Sequence, residues 1–429
     1  MNSIRYPELD ETLYRDVLPN GLTVAVVPRK GFTKKLAYLV TDYGSIHMDF
    51  AFAGKEYHAP AGVAHYLEHK MFDMPGSRDV SAEFAALGAM TNAFTSYDMT
   101  AYYFSCTDHF DECLRLLLEF VSTPCFTEES VEKEQGIIDQ EIGMNADAPE
   151  SMIFENLVNI LYREHLIRSP ILGTSETIRQ ITPEVLYTCH RAFYTPGNML
   201  LCVVGDVDPD SVADAARQVL GDAPKEVGRK LHPWQEEMTC PRHVTDMEME
   251  VAMPMFNLAF KCEPVGQGEA AIREEMVADL AAEALFGESS ELYLRLYEEG
   301  IIDSSFGGGF EPIDGCAMLL CSGDSDDPEA VRDAVIRQAA KIAEEGLTAS
   351  EFLRLKRSAL GRRIRGLDSF DATCFRVCAY HFSGFDYFRF PEVYRDIQPH
   401  EIQAFLARVV TRERCGLSVI TSFAKEAAQ

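Results

Sequence analysis

Short apolar runs broken by Gly and Pro alternate along this chain with stretches of 3.6-residue periodicity. The Asn20-Gly21 turn leads into an expected strand at 22–27, and a second follows at 36–43. Helical periodicity covers 61–72 and 81–87, and a strand-like run occupies 100–106. An amphipathic helix is expected over 108–121, with Leu114, Leu117 and Leu118 on its apolar face. A further helix starts near Thr127, an N-cap residue followed by two acids. More helix follows at 153–162 and 183–193, and a wholly apolar strand at 199–204 ends at Gly205.

From 241 onward the order recurs: a strand at 258–262, helices over 270–297, a strand at 316–321, long helices over 328–410 and a strand at 417–420. Between the halves, Pro224, Gly228 and Pro233 sit among charges without a sustained period, which marks a linker. The expected division is therefore 1–222, a linker at 223–240, and 241–429. The expected fold class is α+β: two structurally related domains, each a mostly antiparallel sheet packed with helices.

The chain has 429 residues, enough for a sizeable core, and its formal net charge is -29. That surplus of acid argues against nucleic acid and against an anionic membrane surface as partners. No run reaches the roughly 18 consecutive apolar residues of a membrane helix, and from the polar first residues no secretory signal is expected. The 12 cysteines are scattered singly, so reduced thiols in a cytoplasmic protein are expected.

The segment His65-Tyr66-Leu67-Glu68-His69 changes the picture. On a helix, His65 and His69 lie one turn apart on one face, the spacing at which two imidazoles share a metal. Glu68 lies on nearly the same face and can reach a water without being a ligand, as a general base must. This is the inverted form of the His-Glu-x-x-His motif. Two turns apart on the helix after Thr127 stand Glu134 and Glu141, beside the apolar set Val131, Ile138 and Ile142. A carboxylate next to a buried stripe needs a partner. Metal ligation by one of the two and a hydrogen bond to a ligand histidine from the other would satisfy both.

With these residues the chain resembles the pitrilysin/insulinase metallopeptidases, a family that includes the mitochondrial processing peptidase. The resemblance runs through Leu18-Pro19-Asn20-Gly21-Leu22, the inverted motif, Thr91-Asn92-Ala93-Phe94-Thr95-Ser96, Glu134 to Glu141, and Phe193-Tyr194-Thr195-Pro196-Gly197-Asn198-Met199. It implies one Zn2+ per chain held by His65, His69 and Glu141, with Glu68 as base and Glu134 supporting a ligand. It also implies that Asn92, Ala93, Phe94 and Thr95 form an edge strand to which an extended peptide substrate adds. The implied activity is zinc-dependent endopeptidase, cleaving unstructured peptides or precursors; the alternative is a non-catalytic, peptide-binding or structural subunit of a heterodimeric peptidase. The implied assembly is a homodimer, or a heterodimer with a paralogous subunit. The second option arises because many members carry an Arg/Tyr pair, seven residues apart, in the second half. Aligning on Gly300 places Leu296 and Asp303 there, and aligning on Arg295 places Ile302 where Tyr should be.

Other features carry less. Arg354, Lys356, Arg357, Arg362, Arg363 and Arg365 read as a solvated basic face. Gly307-Gly308-Gly309 reads as a turn or substrate-facing loop, and His109 and His165 as structural histidines.

Overall fold

A computed structural model describes residues 1–76, 78–232 and 234–423. Pro233, inside the expected linker, and the last six residues of the expected 241–429 domain lie outside the described residues.

The first sheet has seven strands, in the spatial order Asn2–Tyr6, Glu11–Val17, Thr23–Pro28, Met199–Gly205, Lys35–Thr41, Thr100–Cys106 and Met90–Thr95. Thr23–Pro28 and Met199–Gly205 pair in parallel, and the other pairs are antiparallel. Met199–Gly205 is buried at every position, as its unbroken apolar run requires for a central strand covered on both faces. The first two strands were not expected from the sequence. Asn2–Tyr6 is exposed at four of its five positions, so it carries no apolar alternation to betray it.

The second sheet has five strands, ordered Val244–Met249, Cys415–Ser422, Met255–Cys262, Cys316–Asp324 and Gly307–Ile313. Its first pair is parallel and the next three antiparallel, matching strand for strand the last five of the first sheet. The duplication expected from the recurring pattern is thus present in the topology, and the fold is α+β.

Two compact units result, and neither is contiguous in sequence. One comprises 1–142, 169–232 and 364–389; the other comprises 143–168, 233–363 and 390–429. The chain passes between the units at 232/233, inside the 223–240 segment, and at four further places. The reason is an exchange of helices. Pro149–Leu161 buries Ile153 against Met249 and Ile420 of the second sheet. Phe370–Phe382 lies on the first sheet, where the Cys374 thiol reaches the Cys202 carbonyl at 3.8 Å. Local periodicity fixes the existence of such helices but not the sheet they cover.

The triple glycine is not a loop. Gly307–Ile313 is an edge strand, and a Cβ on Gly308 would lie 2.4 Å from the Leu320 carbonyl oxygen and 2.6 Å from the Phe286 ring. Glycine serves close packing there rather than a turn. The basic run is also more engaged than a solvated face. Arg362 meets Glu283 at 2.7 Å, and Arg363 meets Asp279 and Glu275. His165 is buried and structural, its Nε2 3.0 Å from the Asp314 carbonyl oxygen; His109 occupies a left-handed position before Phe110–Ser122. Among the described residues no helix is long and apolar enough to cross a membrane.

Candidate metal centre

The inverted motif forms the helix Val63–Lys70. It begins at Gly62 with φ +90°, where a Cβ would stand 2.5 Å from the Leu172 carbonyl oxygen, so only glycine fits. Val63, Ala64, Tyr66 and Leu67 bury one face in the core of the first unit. Each large apolar side chain so buried contributes roughly 1.5–3 kcal/mol. The Tyr66 hydroxyl donates to the Val131 carbonyl, tying this helix to Glu128–Ala146. On that second helix Val131 and Ile138 are buried and Ile142 packs against the same core. Glu134 and Glu141 are thereby presented, two turns apart, toward the histidines.

His65, His69 and Glu141 converge, with one donor atom from each lying within 4.8 Å of the others. Nε2 of His65 is 3.6 Å from Oε1 of Glu141, and Nε2 of His69 is 3.6 Å from its Oε2. Zinc bonds of about 2.1 Å at the tetrahedral angle would leave donor atoms about 3.4 Å apart, so two imidazoles and a carboxylate at this spacing fit that ion. Nδ1 of His69 lies 3.0 Å from Oε1 of Glu134, the outer contact that fixes the orientation of a ligand imidazole. Nδ1 of His65 is buried without such a partner. In this arrangement Glu141 lies with the histidine nitrogens and Glu134 stands behind His69.

The ionisable groups of the cluster are shifted in different directions. Burial, helped by neighbouring His69, lowers the His65 pKa to about 4, so this imidazole is neutral at pH 7 and its approach to Glu141 is not an ion pair. Burial also pulls down on His69, but the hydrogen bond and charge of Glu134 outweigh it and raise its pKa. Glu134 is pushed up by burial and pulled further down by His69, Lys70 and Lys133, ending below the usual carboxylate range.

Glu68 is buried beside the triad, and burial together with the charge of Glu141 raises its pKa. Thr95 Oγ1 donates to Glu68 Oε2 at 2.6 Å, which pulls the other way. The sequence placed Thr95 with the substrate-binding residues and did not reveal this bond. No local signal could, because the two residues are 27 apart and meet only when the strand and helix pack. Lys70 is a second residue without a role in the sequence reading: it is buried, with oxygens of Ser130 and Glu134 nearby.

Asn92, Ala93, Phe94 and Thr95 lie on Met90–Thr95, the edge strand of the first sheet, paired on one side with Thr100–Cys106. Phe94 faces away from Glu68, with its ring 6.4 Å from Tyr103 and 6.0 Å from Phe375. At the Arg/Tyr positions, Leu296 is 1% exposed and the Asp303 carboxylate accepts from the Ser305 backbone N–H at 2.7 Å.

Comparisons with known proteins point to one family. Residues 53–175 match the family described as insulinase (peptidase family M16), and residues 180–359 match the peptidase M16 inactive domain. The chain is 36% identical over 418 residues to the uncharacterized zinc protease YmfH of Bacillus subtilis (strain 168), covering 96% of this chain and 97% of that protein. An M16-like peptidase from Alicyclobacillus acidocaldarius superposes with a TM-score of 0.93 at 30% identity, over 98% of this chain and 100% of the other. A protease from Helicobacter pylori shares the fold, with a TM-score of 0.81 at 18% identity over 95% and 99% of the two chains.

Proposed function

This chain belongs to the insulinase family of peptidases, M16, and from that premise we propose that it is a zinc-dependent endopeptidase acting on extended peptides. The observation that carries the reading is the convergence of His65, His69 and Glu141 beside the buried Glu68 carboxylate. In this reading His65 Nε2, His69 Nε2 and one oxygen of Glu141 would hold one Zn2+ per chain, which would supply Lewis-acid polarisation of the scissile carbonyl and a water acidic enough to react near pH 7.

The protein's own residues do the rest. Thr95 occupies Oε2 of Glu68 and leaves Oε1 to take a proton from the attacking water and then deliver it to the leaving amine. Glu134 holds His69 through Nδ1, so that Nε2 is turned toward the Glu141 carboxylate. Asn92 to Thr95 receive the substrate as an added antiparallel strand, which rewards extended, unstructured segments and binds backbone rather than sequence. We place the protein in the cytoplasm and have it act as a dimer. A paralogous partner would supply the Arg/Tyr pair, because Leu296 is buried and Asp303 is engaged by Ser305. Assaying the chain with and without that paralogue tests this part, and full activity of the isolated chain would refute it.

The deciding experiment for the catalytic reading is Glu68→Gln. The variant should bind one zinc per chain, by metal analysis, and cleave a quenched fluorescent peptide at least about 100-fold more slowly than wild type, the lower bound for losing a general base. A variant that cleaves as fast as wild type sinks the assignment.

A further inference from the structure

The helix that carries both histidines ends in Lys70, which no step above uses. Its side chain is 1% exposed and among the largest fully buried ones in the protein. Leaving an ammonium unpaired in such a place costs several kcal/mol, and an apolar residue of the same volume would fill the space more cheaply. The charge is therefore answered by what surrounds it. Three oxygens do so: the Asp73 carboxylate, the Ser130 carbonyl at 3.1 Å, and Oε2 of Glu134 at 3.8 Å. Asp73 is about half exposed and has water as an alternative partner. Glu134 is different: its side chain is only 15% exposed, and its other oxygen faces Nδ1 of His69 at 3.0 Å.

The two oxygens of Glu134 are thus divided between a fixed cation and a histidine. We propose that Lys70 is a positioning residue: its ammonium holds the Glu134 carboxylate so that Oε1 meets His69, and in this way it orients His69 as a metal ligand. The inference rests on the reading of His65, His69 and Glu141 as the zinc site. It predicts a chain of three contacts, ammonium to carboxylate to imidazole to metal, in which removing the first link weakens the last.

The test is a double-mutant cycle on metal affinity, independent of peptidase activity. Metal-stripped wild type, Lys70→Met, Glu134→Gln and the double variant are titrated with zinc against a chromophoric chelator, and the melting temperature of each is recorded. Lys70→Met should weaken zinc binding roughly 10-fold, the scale of outer-shell partners. In the Glu134→Gln background the same change should cost less than about 3-fold, because the carboxylate it acts through is gone. A merely structural lysine would lower the melting temperature in both backgrounds and leave zinc affinity unmoved, which overturns the proposal. Equal losses of affinity in both backgrounds overturn it as well. Should Lys70→Met not fold, Lys70→Gln keeps a donor for the Ser130 carbonyl and carries the same expectation. Wild-type protein that binds no zinc would sink the metal reading itself, whereas zinc-binding wild type beside an unaffected Lys70 variant sinks this proposal alone.

Discussion

Replacing Thr95 with Val should move the pH dependence of peptide cleavage upward while leaving the strand intact. Valine keeps the branched shape and suits an edge strand, so the perturbation is confined to one hydroxyl. That hydroxyl donates to Glu68 Oε2 at 2.6 Å. A hydrogen bond to an ionised group contributes about 1.5–3 kcal/mol. At 1.36 kcal/mol per pH unit, its loss should raise the Glu68 pKa by roughly one to two units. The direction follows from the causes: burial and Glu141 already raise this carboxyl, and Thr95 is the leading opposing influence. Glu68 works as a base only when ionised, so activity fails as pH falls through its pKa, and the variant fails first. The assay is kcat/KM for a quenched peptide across pH 5 to 9, with zinc content measured at each point. Thr95→Ser should track wild type because it keeps the donor. An acid limb displaced by less than about 0.3 pH unit in Thr95→Val, with zinc retained, would refute the reasoning.

Three further outcomes follow. Zinc at about 100 times its dissociation constant should stabilise the wild type by about 2.7 kcal/mol over the chelated protein, and this increment should vanish in Glu141→Ala; differential scanning fluorimetry with and without chelator decides it. Gly308→Ala should cost about 1–3 kcal/mol in urea unfolding, since its Cβ would lie 2.4 Å from the Leu320 carbonyl oxygen, whereas Gly309→Ala, with nothing within 4 Å, should be nearly neutral. Glu236→Gln should cost about 3–5 kcal/mol at pH 7, because it leaves buried Lys261 without the carboxylate 2.6 Å away. Burial raises the Glu236 pKa, but Lys261 and backbone N–H groups hold it lower still, below the ordinary 4.5. Its contribution is therefore complete above about 4.5 and lost as pH falls through the folded value, so the gap between wild type and variant should close in acid.

Much of this protein was legible without coordinates wherever the deciding physics was local. The two-turn spacing of Glu134 and Glu141 beside Val131 and Ile138 is a property of one helix, and it survives folding unchanged. So is the placing of His65 one turn before His69, whose ring centroids lie 4.6 Å apart. The unbroken apolar run at 199–204 reads as a buried strand, and Met199–Gly205 is one. Patterns failed where exposure or exchange intervened. The exposed strand Asn2–Tyr6 carries no period, and Gly308 reads as a turn residue until the Phe286 ring is seen against it.

By itself the sequence determined which side chains could meet a metal, since helical periodicity sets neighbours three, four and seven residues apart. It also determined that two halves would repeat one plan. The resemblance already implied that Glu141 joins the histidine nitrogens; only the tertiary structure decided that Thr95 grips the base and that Lys70 is buried behind Glu134. It likewise decided that helices Pro149–Leu161 and Phe370–Phe382 cover the sheets of the opposite halves. The physical reason is the same in each case. A period of 3.6 residues fixes direction within one element, whereas contacts between residues 27 (Glu68 and Thr95) to 267 (Ile153 and Ile420) positions apart depend on how elements pack, and no local preference encodes that.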